Sequence, residues 1–152
     1  MCIRDSAKPD TQMDFDLGLA VREDSENPIY YVEYAHARIC SVLRNLAAEG
    51  HAVPAMAEVD MSLLSGETET ALIKQISQFC EALRLAARDY DPSYINRYLV
   101  ELAGCFHRFY TACRIKGEAP AVLAARLKLA DTTRSVLKNG LALLGVDAPE
   151  RM

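Results

Sequence analysis

The sequence predicts an all-α protein: an antiparallel helical bundle of long helices, preceded by a short extended N-terminal segment. Three observations predict it. Apolar residues recur at steps of three and four through four long stretches, the period of a helix buried on one side. Helix-start signals stand before three of these stretches, at Asn27-Pro28, Asp91-Pro92 and Pro120, and Gly50, Gly117 and Gly145 follow three of them as stops. Period-two alternation appears in a single short patch, Met13-Asp14-Phe15-Asp16-Leu17. One strand cannot form a sheet.

The first helix is expected from Asn27-Pro28 to about Ala48, where an N-cap oxygen precedes a proline whose missing N–H costs nothing. Val32, Ala35, Ile39, Val42, Leu43 and Leu46 form its buried face. His51 to Ser65 contains Pro54 and no sustained period, so it reads as a loop with a short turn. A second helix, capped by Ser65 or Thr68, carries the seam Leu72, Ile76, Phe79, Leu83, Ala86 and Tyr90 and ends near Asp89 to Asp91. A third follows Asp91-Pro92, with Ile95, Leu99, Leu102, Phe106, Phe109 and Cys113 as its seam and Gly117 as its end. The last opens at Pro120 and has two apolar lines, one through Leu123, Leu127, Ala130, Leu137, Leu141 and Leu144, the other through Val122, Leu129, Val136 and Leu143. Two lines imply a wide buried face, which makes this helix the expected centre of the bundle. The expected core is Ile39, Leu43, Leu72, Ile76, Phe79, Leu99, Leu102, Phe106, Leu127, Leu137 and Leu141.

Composition narrows the class. A chain of 152 residues with 51% hydrophobic and 25% charged residues suits one folded domain. The net charge of -4 weighs against a general attraction for nucleic acid. A local basic face can still act, because its potential is felt only within a Debye length of roughly 8–10 Å. The five cysteines, Cys2, Cys40, Cys80, Cys105 and Cys113, show no CxxC pair and read as reduced thiols. Neither a signal peptide nor a membrane span is visible, so the cytoplasm is the expected compartment.

Metal and catalytic chemistry find little support. His36 and Cys40 lie four apart, and Cys105 is close to His107, but tetrahedral zinc needs four paired ligands. No metal site is expected. The carboxylates are dispersed and no phosphate-cradling glycine loop occurs, so no catalytic residue is assigned. More informative is an aromatic and basic set: Tyr31, Tyr34 and Arg38 on one side of the first helix, and Ala103, His107, Tyr110 and Arg114 on one side of the third. Aromatic and guanidinium planes of this kind stack on unpaired RNA bases. A solvated face with tyrosines plugging the bundle edge fits the same pattern.

The run Asn-Pro-Ile-Tyr-Tyr-Val-Glu-Tyr-Ala-His-Ala-Arg-Ile-Cys-Ser at residues 27–41 resembles the opening of the DALR anticodon-binding domain of bacterial arginyl-tRNA synthetases. Three further stretches agree in order and spacing: Met13 to Ala20, Tyr98 to Tyr110, and Ala125-Arg-Leu-Lys-Leu followed by Leu141 to Met152. The resemblance runs from about residue 7 to Met152, where members of the family end. Residues 1–6 match nothing in it and read as a non-native leader, residues 7–28 as a remnant of the catalytic domain and linker, and residues 29–152 as the DALR domain. Gly18 and Glu33 depart from the usual aspartate and glutamine, and the second change removes one expected polar contact.

The resemblance implies a parent class I synthetase that joins arginine to tRNA(Arg) using ATP with magnesium. The HIGH-type and KMSK-type motifs of that reaction are absent here, so this chain is expected to be inactive alone and to need no cofactor. It implies an anticodon stem-loop as partner, an upstream catalytic domain as neighbour, and a monomer. The family's anticodon contacts carry over to Tyr110, Arg114 and Met152, with an arginine at 114 where some relatives place an aromatic. Arg38, Arg44 and Lys138 are weaker candidates for phosphate contacts. A glycyl-tRNA synthetase beta subunit carries a related helical domain, and a free-standing helical interaction module is a rival from another class; the Tyr-Ala-His-Ala-Arg run at 34–38 favours the arginyl family.

Overall fold

The computed structural model describes Gly18 and residues 27–152. The expected leader at 1–6, nearly all of the expected remnant at 7–28, and the strand-like patch Met13 to Leu17 lie outside the described residues.

Helix α1 spans Pro28–Ala48. Asn27 caps it as its sequence dictates, its Oδ1 accepting from the N–H of Ile29 at 3.1 Å and of Tyr30 at 3.4 Å. At the other end Gly50 takes φ +90°, which lets His51 N–H reach back to the Leu46 carbonyl. The following loop contains two single 3-10 turns, Met56–Glu58 and Met61–Leu63, and plugs the core with Leu64.

Helix α2 spans Glu67–Ser77 and α3 spans Phe79–Asp89, where one continuous helix was expected. The interruption has a local cause. Ser77 Oγ donates to the Lys74 carbonyl at 2.7 Å and Gln78 N–H bonds Gln75, three residues back, so the last turn of α2 tightens out of α-helical phase. Neither Ser65 nor Thr68 caps α2. Gly66 occupies the N-cap, and Glu69 Oε2 accepts from its N–H at 2.9 Å.

Helix α4 spans Ser93–Ala112, with Asp91 Oδ1 accepting from Ser93 N–H at 2.9 Å. It ends five residues before Gly117, because Cys113 is already extended at φ -110°, ψ 116°. Helix α5 spans Pro120–Leu143 and closes in a left-handed turn at Gly145, φ +70°, with Val146 N–H on the Leu141 carbonyl.

Taking α2 and α3 together, the chain runs up, down, up and down. α1 and α4 therefore share a direction, while Leu99 of α4 packs on Gly140 of α5 and Gln75 of α2 meets Glu101 of α4 in the antiparallel sense. The central helix is α4, which contacts α1, α2, α3 and α5, and not the last helix as expected. Ile95, Tyr98, Leu99, Leu102, Cys105, Phe106 and Phe109 bury it on more than one side. Of the expected core, Ile39, Leu72, Leu99, Leu102, Phe106, Leu127, Leu137 and Leu141 are fully buried, and Leu43, Ile76 and Phe79 are half-buried against them. Leu143, placed on the second apolar line of α5, is 59% exposed because it lies in the last turn before the chain reverses.

Candidate nucleic-acid interface

Because α1 and α4 run the same way, residues at matching heights meet along their shared groove. Tyr31 and Tyr34 flank His107 with ring centroids 5.1 and 5.9 Å apart. One step further along, the Arg38 guanidinium carbon sits 4.6 Å from the centre of the Tyr110 ring and 6.0 Å from that of Tyr34, within reach of a cation–π attraction. The aromatic and basic residues read from the sequence thus meet along this groove, whereas Ala103, placed on the same face, is fully buried in the core.

Clefts open on both sides of the Arg38–Tyr110 pair. The larger, about 560 Å³, is lined by Val42 and Asn45 of α1, by Glu49 just past its end, and by Tyr110, Cys113, Arg114 and Lys116. Lys116 Nζ pairs with Glu49 Oε1 at 2.7 Å across exposed surface there. The smaller, about 370 Å³, lies between Tyr34, Arg38, Ser41 and Arg44 on α1 and the tail residues Glu150, Arg151 and Met152. Both are of ligand-binding size.

The tail reaches this position through polar contacts with α1. His36, 1% exposed, has its Nδ1 at 2.8 Å from the Pro149 carbonyl. Arg44 Nη2 donates to the Glu150 carbonyl at 3.1 Å. Burial pulls the His36 imidazole below its ordinary value of 6.5; the Pro149 hydrogen bond opposes that, and the charges of Arg134 and Lys138 add to it. His107 is lowered by burial and then by Arg38, and its Nε2 has no hydrogen-bond partner among the described residues. The Cys40 thiol, 3.8 Å from His36 Nδ1, is pushed up by burial, which keeps it protonated and unreactive.

Tyr110, Arg38, Arg44, Arg114 and Met152 all line one or other cleft. Lys138 is exposed on α5 and lines neither. Arg114 is not a helical neighbour of Tyr110, since α4 has ended; its place comes from Arg126, whose guanidinium donates to the Arg114 carbonyl and pairs with Glu69 at 2.7 Å. Arg44 is engaged with the tail. Asn45, Glu49 and Lys116 were not singled out in the sequence, and they belong here only because α1 and the segment after α4 lie side by side. The described residues contain no group of three or more His, Cys, Asp or Glu suited to a metal. Among the described residues no helix is long and apolar enough to cross a membrane.

Known proteins share this architecture. The chain is 50% identical over 143 residues to the arginine–tRNA ligase of Symbiobacterium thermophilum, covering 94% of this chain and 26% of that protein. It is 46% identical over 142 residues to the ligase of Acetivibrio thermocellus, covering 93% of this chain and 25% of the relative. Among solved structures, Thermus thermophilus arginyl-tRNA synthetase superposes with a TM-score of 0.81 at 30% identity, over 97% of this chain and 25% of that one. The chain spans about a quarter of the length of the curated relatives it matches. The description of the DALR anticodon binding domain matches residues 32–152, a range that takes in every residue lining the two clefts. The chain belongs to the DALR anticodon binding domain family.

Proposed function

We propose that this chain is the anticodon-binding part of an arginine–tRNA ligase, and that it holds unpaired anticodon bases of tRNA(Arg) in the clefts on either side of Arg38 and Tyr110. The Arg38–Tyr110 pair carries the reading: a cation against an aromatic ring, open to solvent on both flanks, offers planes for stacking where a structural tyrosine would be covered. Met152, 53% exposed, supplies a flexible apolar wall to the smaller cleft. Tyr110, Arg114 and Met152 are assigned to base contact, Arg38 to stacking beside Tyr110, and Lys138 at most to a peripheral phosphate. The likeness to arginine–tRNA ligases supports arginine as the cognate amino acid. Activation of arginine with ATP and magnesium belongs, in this reading, to the remaining three quarters of such a protein. Cytoplasmic location and a monomeric state complete the proposal.

Titration of this chain with an RNA hairpin bearing an arginine anticodon, beside one with an unrelated anticodon, tests it. Tyr110→Ala should cost about 1–3 kcal/mol of binding at unchanged helicity, the worth of one stacked base. With a net charge of -4, affinity should fall along a shallow slope as salt is raised. The chain should give no arginine-dependent ATP–pyrophosphate exchange. Affinity indifferent to both Tyr110→Ala and deletion of Met152 would put the RNA on another face.

A further inference from the structure

His36 and Arg44 are eight residues apart on α1, roughly 12 Å along the helix axis, yet their donors converge on the successive carbonyls of Pro149 and Glu150. Among the described residues these are the hydrogen bonds that tie residues 147–152 to the rest of the molecule. A carbonyl only accepts, so in the bond to Pro149 it is His36 Nδ1 that carries the proton. The imidazole touches neither cleft. It fixes the main chain three residues before Met152, and through it one wall of the smaller cleft.

We propose that His36 is a positioning residue for RNA recognition, acting on the bound base through the Pro149 carbonyl and the seat of Met152. This rests on the reading of the smaller cleft as part of the RNA face. What it requires of position 36 is a donor at the place of Nδ1 and a side chain that fits beneath the tail; no charge is required. Asparagine, whose Nδ2 can occupy the place of the imidazole Nδ1, meets that need, and leucine, of similar bulk, does not.

The test uses this chain as wild type, His36→Leu, His36→Asn, a deletion of Met152, and His36→Leu combined with that deletion. Helicity is checked by circular dichroism. Seating of the tail is read by the rate at which carboxypeptidase releases Met152, and RNA affinity by titration with the arginine-anticodon hairpin. His36→Leu should speed release about fivefold, the scale of one net hydrogen bond. It should weaken RNA binding by no more than deletion of Met152 does, and add nothing on top of that deletion. His36→Asn should restore both readouts. Native helicity with wild-type release in His36→Leu overturns the inference, as does faster release with unchanged affinity while deletion of Met152 weakens binding. If deletion of Met152 leaves affinity unchanged, the reading of the smaller cleft falls and the inference falls with it; the release rates then show separately whether the clamp exists. Should His36→Leu lose helicity, Arg44→Met removes the other tie from exposed surface and His36→Asn reports on position 36. Faster release in the first with wild-type release in the second supports the clamp, and wild-type release in Arg44→Met overturns it.

Discussion

Tyr90 is the non-glycine residue with positive φ among those described, at φ 51°, ψ 35°, and its side chain is 90% exposed. It ends α3 in the left-handed conformation that lets Asp91 N–H return to the Ala86 carbonyl, a place where glycine avoids the clash of a Cβ. Tyr90→Gly should therefore raise stability by about 0.5–1 kcal/mol, read as a shift in the urea midpoint at constant slope. A loss would show that the ring makes a contact its exposure conceals. Single residues were legible in the sequence where their chemistry alone marks them. Tyr110 and Arg38 stand on polar sides of helices otherwise patterned for burial, and the structure brings them into contact. The role of His36 was not legible: a ligand pair with Cys40 is rejected on spacing, and its partner is a carbonyl 113 positions away that no local pattern announces.

At the scale of elements, α4 and α5 approach closely at Gly140, where an added Cβ would lie 2.5 Å from a methyl of the fully buried Leu99. Alanine is the better helix former by up to about 1 kcal/mol, but overpacking a closed core costs about 1–3 kcal/mol. Gly140→Ala should destabilise by about 1 kcal/mol, and its combination with Leu99→Val should cost less than the sum of the two, as a double-mutant cycle would show. A second junction joins three elements. Glu69, 3% exposed, caps α2 with one oxygen and binds Arg126 of α5 with the other at 2.7 Å, while Arg126 also holds the segment after α4. Removing Glu69 takes away the helix cap and one of two carboxylates from Arg126, which keeps Glu118 at 3.2 Å, so Glu69→Ala should cost about 1–2 kcal/mol in denaturant titration, and the loop carrying Arg114 should exchange its amides faster. Helix starts at Asn27, Asp91 and Pro120 were legible because their signals are local: a side-chain oxygen accepting from the first turn at the first two, and a proline at the first position of the third. The break at Gln78 was not, since no glycine or proline marks it. Nor was the end of α4 at Ala112, where a hydrogen bond from another helix holds the chain extended.

For the whole molecule, a buried imidazole, His36, and a half-buried one, His107, set a dependence on pH. The folded-state pKa values of His36 and His107 are both below 6.5, each chiefly through burial. Between those values and 6.5 the unfolded chain binds more protons than the folded one, so stability is full above about pH 6.5 and declines as pH falls through the window beneath it. Denaturation between pH 7.5 and 5.5 should show this decline, and His36→Asn with His107→Asn should flatten it. The bundle as a whole was readable in advance because a repeat of three and four fixes which side of each helix is buried. The centre was not. Counting apolar lines favours α5, whereas centrality depends on how many neighbours a helix has, and α4 acquires them from the up-and-down order of the chain. That order also decides where the tail lies, and both hydrogen bonds that seat it end on main-chain carbonyls. Every residue type supplies a carbonyl, so positions 149 and 150 can drift in side chain while the seat persists, whereas positions 36 and 44 have no such freedom. The information for placing residues 147–152 is thus stored in α1, and Pro149→Ala or Glu150→Ala should leave the release of Met152 nearly as it was.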